Sequence, residues 1–357
     1  MLLAPAAGQT PQGLHDGRKS GGMATIKDVA ALANVSIATV SHHLNKTKAV
    51  SKPTAERVAR AIAALGYQKD DLAAWFKTAE VPVVFLAAPH ADTSFFDDVA
   101  AAIEDRFAAR GLSVLRVRIA TLERTRRGGA LASFLQRAAG VVVLGHSDEW
   151  IVDEAELASA SPSVLLNWDR PGEFRRQGLV EHLDRGADMA LTYLAERGHR
   201  NIGLMTGPMA LPRAQGLLAG THKAAARLGL NLDPRWMVES SYAFGDARDK
   251  ARAMLEQAAR PTAIFTFGTQ FSFGVLQAAY QLGIDVPGDL SVLSYVECKQ
   301  TEYCAPRMTT VSPSIPQIAA HVVDRILALV AGAEGPVVTS LDVELIERDS
   351  VRTLNTP

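Results

Sequence analysis

The stretch "ATIKDVAALANVSIATVSHHLNK", residues 24–46, has the pattern of two short helices joined by a tight turn. Thr25 followed by Asp28 has the form of a capping box, which predicts a helix that runs through Ala33. Asn34 then lies where the chain must reverse, and Asn tolerates the left-handed conformation better than any residue but Gly. The predicted apolar face of this first helix consists of Val29, Leu32 and Ala33.

The second half of the stretch predicts a helix with one inward and one outward face. Ser36 can cap this helix, and Val40 and Leu44 lie one turn apart on its inner side. At about 100° per residue, the opposite face carries three residues and is flanked by two more. These are Ala38, His42 and Asn45, flanked by Thr39 and Ser41. A DNA major groove admits small and polar side chains of this kind, so the face is a candidate reader of DNA.

A third helix completes the unit. Ser51 can cap it, and its apolar residues Val58, Ile62 and Leu65 recur at helical spacing before Gly66 ends it. Three short helices with one tight turn indicate a helix-turn-helix unit. A plain three-helix interaction module is the alternative that the pattern leaves open.

Charge is unevenly distributed along the 357 residues, whose net charge is −1. The segment 24–69 holds seven basic and two acidic residues, so it carries +5 while the remainder is acidic. A small basic unit on a larger acidic body is typical of a nucleic-acid-binding head on a sensing domain. A solvated basic helix face would give the same charge.

"ATIKDVAALANVSIATVSHHLN" followed by "VSKPTAERVARAIAALGY" closely resembles the DNA-binding head of the LacI/GalR family of bacterial transcription regulators. The resemblance covers the whole head without gaps. It implies that phosphates are contacted by Ser36, Thr39, Ser41 and Asn45. It implies that bases are read by Ile37, Ala38 and His42.

His42 departs from the family pattern, which usually has Arg at this position. A histidine can give guanine one hydrogen bond but not the two-pronged contact of Arg, so we expect an altered preference at that base pair. Binding is expected to strengthen as the pH falls toward 6, because an imidazolium adds positive charge near phosphate. His43 falls where the family has an apolar residue, which predicts partial burial. A metal site on the two histidines is not expected, because adjacent helical residues point about 100° apart.

The segment "YQKDDLAAWFKTA", residues 67–79, corresponds to the family's linker and hinge helix, which enters the DNA minor groove in the dimer. Tyr67 matches the family, and Phe76 occupies the position of the wedge that kinks the DNA. Two negative charges, at Asp70 and Asp71, fit less well beside phosphates. Packing of Phe76 and the neighbouring Trp75 onto the body is the alternative.

The body, residues 80–350, alternates uninterrupted apolar runs with amphipathic helices. This predicts parallel strands covered on both faces, and roughly ten strands are better divided between two similar lobes than kept in one sheet. Ligands bind such sheets beyond the carboxyl ends of the strands, here in a cleft between lobes. The family resemblance extends over the body and implies a periplasmic-binding-protein-like fold that dimerises. It implies a first lobe of about 80–179 and 312–337 and a second of about 180–311 and 338–350.

The cleft is where the sequence departs most from the family. The Arg of the family's effector site is Leu217 here, and the usual Asp-Asp pair is Val296-Glu297. The candidate effector contacts are Phe95, Phe96, Asn167, Trp168, Arg170, Tyr242, Gly268, Thr269 and Glu297, with Phe267 and Phe271 as further aromatic candidates. We expect an effector that is less polar than a sugar or differently charged. The alternatives are a cleft that has lost its ligand, and aromatic residues that are only lobe core.

The leading hypothesis is a cytoplasmic homodimeric regulator, a repressor of metabolic genes, that binds a palindromic operator in double-stranded DNA and answers to a small effector. A solute-binding protein is the rival of the same fold. Residues 1–22 are expected to be a disordered extension without an export signal, followed by the head at 23–68 and the hinge at 69–79. Only two cysteines occur and no long apolar run, which favours a reducing compartment and no membrane span. The motifs of nucleotide-binding and hydrolytic enzymes are absent, so no catalytic residues, metal or cofactor are expected.

Overall fold

A computed structural model describes residues 25–45, 48–65, 81–88, 94–118, 137–145, 162–167, 177–230, 232–334 and 337–354. The chain divides into two compact units, a head up to Thr78 and a body from Ala79 onward. The extension and the whole hinge predicted from the sequence lie outside the described residues.

The described part of the head contains the three predicted helices, which are α1 (Ile26–Ala33), α2 (Ile37–Asn45) and α3 (Lys52–Leu65). The capping box before α1 is formed: the Thr25 backbone N–H donates to Asp28 Oδ2 at 2.8 Å, and the Asp28 N–H donates to Thr25 Oγ1 at 3.4 Å. Asn34 has a φ of 52°, the left-handed conformation expected where α1 ends.

A small apolar core holds the three helices together, and its buried members are Val29, Ala30, Ala33, Val40, Val58 and Ala61. The predicted inward placement of Leu32 is wrong, since this side chain is 55% exposed. Ala30 takes its place, because the buried arc of α1 is centred between Val29 and Ala30, and Leu32 lies about 110° away from that centre. Leu44 packs at the edge of the core, as predicted, and His43 is half-buried.

The body contains two six-stranded sheets, which confirms the predicted two-lobed parallel architecture. The first sheet has the order β11-β5-β4-β3-β1-β2, and all of its pairings are parallel. Its strands are β1 (Val81–Ala88), β2 (Ser113–Arg118), β3 (Ala138–Gly145), β4 (Ser163–Asn167), β5 (Gln177–Glu181) and β11 (Val337–Leu341). Valine and leucine runs in β1 and β3 are fully buried, as the middle strands of a covered sheet require.

The second sheet has the order β12-β10-β9-β8-β6-β7, in which only the edge strand β12 runs antiparallel. Its strands are β6 (Ile202–Thr206), β7 (Met237–Glu239), β8 (Ala263–Thr266), β9 (Ser291–Tyr295), β10 (Thr309–Pro313) and β12 (Val343–Ile346). Both sheets contribute to one large apolar core.

Helices cover the sheets. Among the described residues of the first lobe these are α4 (Ser94–Ala108) and α10 (Ile315–Val330), which pack against each other. In the second lobe α5 (Leu183–Glu196) packs on α6 (Pro212–Leu228), and α7 (Phe244–Leu255) packs on α8 (Thr269–Gln281). A short helix, α9 (Lys299–Tyr303), follows β9. In the part of the chain that the structure describes, no helix combines the length and the apolar character needed to cross a membrane.

The chain passes between the two sheets three times, at His182, Ser314 and Asp342. The boundary expected near 337/338 is wrong, because the whole strand β11 pairs with β5 in the first sheet. The physical reason is that a single residue, Asp342, separates β11 from β12. In the sequence the two strands therefore look like a pair that belongs to one sheet. Three connections in the chain therefore join the two lobes.

Candidate nucleic-acid interface and effector cleft

The outward face of α2 is the part of the head that the sequence predicts to contact DNA. Ile37 is 45% exposed, and Ala38 beside it is exposed too. Ser41 and His42 are half-buried farther along the helix. A narrow face of small side chains allows the helix backbone to approach base edges closely. Asn45 is the last residue of α2, at its carboxyl end.

Hydroxyl groups mark the start of α2. The Thr39 backbone N–H donates to Ser36 Oγ at 3.1 Å, so Ser36 caps the helix as predicted. The Ser36 and Thr39 hydroxyls also lie 2.8 Å apart in a mutual hydrogen bond. This arrangement places two hydroxyls at the amino end of the helix, where the helix dipole favours a phosphate. The other predicted DNA contacts, Tyr67 and Phe76, lie outside the described residues.

In the body, the predicted aromatic contacts of the first lobe are part of its core. Phe95 and Phe96 begin α4, and each is 5% exposed. Their rings meet edge to face with centroids 5.5 Å apart. Such a pair fixes the first turn of α4 against the end of β1. The positions Trp168 and Arg170 lie outside the described residues, and Asn167 is the final residue of β4.

Tyr242 lies on a loop after β7 and stacks on Phe271 of α8, with ring centroids 5.4 Å apart and an angle of 25°. Phe271 is fully buried and Tyr242 is half-buried, so the Tyr242 ring packs on Phe271 while part of it remains exposed to solvent. Gly207, after β6, makes room for it, because a Cβ there would lie 3.1 Å from the Tyr242 hydroxyl oxygen. Phe267 is 3% exposed and belongs to the core.

Asp246 holds the loop that carries Tyr242. Its Oδ2 accepts hydrogen bonds from the Ser241 backbone N–H at 2.7 Å and from the Ser240 hydroxyl at 2.9 Å. These bonds, with the backbone bond from Ser241 the largest cause, lower the pKa of Asp246 to about 2. The loop geometry therefore depends on the charged form of this carboxylate.

This predicts a specific acid response. A carboxyl whose pKa is lowered on folding stabilises the fold above its unfolded value near 3.8, and this contribution is lost as the pH falls toward about 2. We expect Asp246→Asn to lower the free energy of unfolding at pH 7 and to reduce its decline between pH 4 and pH 2. Denaturant unfolding of both proteins across this range measures the difference. Parallel curves for the two proteins would contradict the role given to Asp246.

Gly268 and Thr269 lie where α8 begins, next to the end of β8. Thr269 is 2% exposed, and Gly268 precedes the helix without a side-chain cap. Both residues therefore lie beyond the carboxyl end of a parallel strand. The neighbouring Gln270 is 4% exposed and lies within 3.4 Å of the Thr269 hydroxyl.

Glu297 is held by the protein itself. Arg348 donates to both of its carboxylate oxygens, at 2.6 and 3.1 Å, and the Thr310 hydroxyl donates to Oε2 at 2.5 Å. The preceding residue, Val296, has a φ of 67°, which for a β-branched residue costs on the order of 1–3 kcal/mol. The ion pair and the hydrogen bond connect the segments after β9 and β12 to the start of β10, so Glu297 has a structural role within the second lobe.

Sequence reasoning missed one buried polar cluster. Glu181, Arg213 and Tyr295 meet where the two lobes join: the Tyr295 hydroxyl donates to Glu181 Oε1 at 2.5 Å, and Arg213 Nη2 lies 3.3 Å from Glu181 Oε2. Burial, with the negative charge of Glu181 as the next cause, raises the pKa of Tyr295 well above its usual value. A signal for it existed, since Glu181 is an acidic residue directly after the apolar pair Leu179 and Val180, at the carboxyl end of a strand.

Comparisons with known proteins agree with this geometry. Residues 25–70 match the family described as bacterial regulatory proteins of the lacI family, and residues 191–351 match the periplasmic binding protein-like domain. The HTH-type transcriptional repressor PurR of Salmonella paratyphi B is 31% identical over 290 residues, which cover 81% of this chain and 85% of that protein. This chain belongs to the LacI family. PurR of Salmonella heidelberg is similar to the same extent.

Solved structures show the same fold as this LacI-family regulator. The Lac repressor dimer bound to operator and the anti-inducer ONPF superimposes with a TM-score of 0.75 at 24% identity, covering 93% of this chain and 100% of that one. The complex of the transcriptional regulator CelR with cellobiose gives 0.64 at 23% identity, covering 92% and 99%. These two structures confirm the fold. The lacI-family match of the head and the similarity to PurR confirm the family resemblance, and the protein is a DNA-binding transcriptional regulator.

Proposed function

We propose that this LacI-family regulator is a repressor that binds a palindromic operator as a homodimer in the bacterial cytoplasm and has no enzymatic activity. The observation that carries the proposal is the outward face of α2, with exposed Ile37 and Ala38 beside the hydroxyls of Ser36 and Thr39. Small residues for base edges next to hydroxyls for phosphates suit a helix that enters a major groove. A dimer places two such helices on two half-sites, which requires a palindrome.

His42 defines the test of this proposal. The purified full chain is used to select fragmented genomic DNA at one fixed salt concentration, at pH 6 and at pH 8. We expect a palindrome to be enriched about tenfold or more over random fragments, with stronger binding at pH 6. His42→Ala should lose the pH response, and His42→Arg should bind well at both values because Arg keeps its charge. Failure to enrich any sequence would refute the proposed function, and an unchanged pH response in His42→Ala would refute the role of His42.

The cleft of this regulator is proposed to bind a small effector that is less polar than a sugar. The support is that Glu297, the acidic candidate contact, is already bonded by Arg348 and Thr310, while Tyr242 offers a half-buried ring stacked on Phe271. A flat apolar group on the effector could stack on this ring. Candidate contacts at Asn167, Trp168, Arg170, Gly268 and Thr269 are retained as part of the same proposal.

A library of small metabolites tests the effector proposal by thermal unfolding. A ligand at about 100 times its Kd adds about 2.7 kcal/mol of stability to the protein that it binds. We expect aromatic or apolar compounds to raise the Tm of the wild type and to have little effect on Tyr242→Ala. Stabilisation of both proteins by sugars alone would contradict the proposed class of effector, and no stabilisation at all would favour a repressor without an effector.

A further inference from the structure

The buried cluster of Glu181, Arg213 and Tyr295 links two parts of the chain that belong to different lobes. Glu181 is the last residue of β5 in the first sheet and is 4% exposed. Arg213 lies in the first turn of α6, and Tyr295 is the last residue of β9, both in the second lobe. The carboxylate of one lobe therefore accepts hydrogen bonds from two donors of the other.

Each carboxylate oxygen of Glu181 has a different partner in the cluster. The two oxygens of Glu181 are divided between the Tyr295 hydroxyl and the Arg213 guanidinium, whose central carbon also lies 5.2 Å from the centroid of the Tyr295 ring. The Glu181 side chain is fully buried, and the Arg213 side chain is 10% exposed. Water cannot replace a bond that is lost in such a place, so the cluster strongly favours one arrangement of its three members.

The cluster lies directly beside one of the connections between the two lobes. Glu181 directly precedes His182, where the chain crosses from β5 into α5 of the second lobe. Gly186, in the first turn of α5, packs on the same tyrosine, because a Cβ there would lie 2.5 Å from Tyr295 Cε2. The cluster therefore holds the chain on both sides of this connection between the lobes.

A second link between the lobes is weaker. The Lys299 backbone N–H donates to Asp98 Oδ2 at 2.6 Å, which connects α9 to α4. Asp98 is half-buried, so solvent screens this bond and can replace it. Among the described residues, the buried cluster is thus the stronger of these two polar links.

We propose that Glu181, Arg213 and Tyr295 form an interlobe latch that sets the relative orientation of the two lobes, and that operator binding depends on this orientation. The second part of the proposal rests on the proposed repressor function. Buried polar clusters contribute little net stability compared with apolar residues of similar size, and they can specify one geometry instead. The latch accordingly determines which lobe arrangement is populated more than whether the lobes fold.

The test replaces the latch with apolar residues in the full chain: Glu181→Leu, Arg213→Met and Tyr295→Phe together. Interlobe distances are measured by pulsed electron spin resonance between labels at Ala109→Cys and Ala226→Cys, both exposed positions, in a Cys304→Ser background. Labelled protein is diluted into excess unlabelled protein, so that distances within one protomer are recorded. The control, Arg307→Gln with Asp349→Asn, removes an exposed ion pair of 2.6 Å that lies within the second lobe.

We expect the apolar triple variant to unfold within a few degrees of the wild-type Tm. Its interlobe distance distribution should be shifted or at least about twice as broad, and its affinity for operator should be at least about tenfold weaker. The control variant should match the wild type in all three. An unchanged narrow distribution in the folded triple variant would overturn the latch. A changed distribution with unchanged operator affinity would overturn its link to DNA binding.

A second variant tests the latch if the first one fails to fold. If the triple variant does not fold, Tyr295→Phe alone removes one hydroxyl and keeps the buried ring, and the same broadening is expected of it. The distance measurement involves no DNA, so it decides the latch even if the wild type binds no operator. A failure of the repressor proposal is thereby distinguished from a failure of the latch.

Discussion

Replacing Ala38 with Glu is expected to lower the affinity for operator about 100-fold. Ala38 lies on the outward face of α2, where a long side chain meets base edges and a carboxylate lies near phosphates. Each lost base contact costs about 1–3 kcal/mol, and the added repulsion acts in the same direction. Equilibrium titration of a fluorescent operator at a fixed salt concentration measures the loss.

The matched control is Ala64→Glu. Ala64 is an exposed residue of α3, so this substitution changes the charge of the head by the same amount without altering the outward face of α2. We expect it to weaken binding only a few-fold, through long-range repulsion that salt screens. Equal losses in the two variants would show that net charge, and not the face of α2, determines operator binding.

Replacing Phe271 with Ala is expected to lower the free energy of unfolding by about 3–5 kcal/mol. Phe271 is fully buried in the second lobe, and its ring supports Tyr242. Removing the ring leaves a cavity beneath the proposed effector site and takes away the stacking partner of Tyr242. Denaturant unfolding gives the stability, and the metabolite shift described above gives the effect on ligand binding, which we expect to be lost.

Tyr303→Ala serves as the control for this loss. Tyr303 is 73% exposed, so deleting its ring should change the free energy of unfolding by about 0.5 kcal/mol or less. Phe271→Leu should recover much of the stability but not the stacking with Tyr242. Full ligand stabilisation in Phe271→Ala would contradict the effector site around Tyr242.

The head could be predicted from sequence almost residue by residue because its helix ends carry local signals. Thr25, Asp28, Asn34 and Ser36 act on neighbours within a few positions, and all four adopt the predicted roles. Leu32 shows the limit of this reasoning. Its inward placement followed from its apolar character alone, whereas the direction of the buried face depends on where α3 packs.

The body was predictable in class and less so in its connections. Buried parallel strands can be recognised in the sequence as apolar runs such as those of β1 and β3. The crossing at Asp342 cannot be recognised in this way, because only one residue separates two strands that enter different sheets. Sequence pattern describes each strand separately, whereas membership of a sheet is decided by pairing over long range.

The cleft was the least predictable part, for a physical reason that Glu297 illustrates. A carboxylate at the end of a strand can bind a ligand or form an ion pair with a side chain of the protein itself. Only the folded structure shows that Glu297 pairs with Arg348. Arg213 and Glu181 are separated by 31 intervening positions in sequence, and Tyr295 is farther still, so no local pattern brings them together. Aromatic residues were also ambiguous, since Phe95 and Phe267 proved to be core.

One titration tests the central claim, that this LacI-family regulator reads a palindromic operator through two copies of α2. The full chain is titrated onto the selected operator and onto the same DNA with one half-site scrambled, at several salt concentrations. The account predicts at least about 100-fold weaker binding to the scrambled DNA, with similar salt dependence, because base contacts are lost while many phosphate contacts remain. Equal affinity for both DNA molecules at every salt concentration would contradict it.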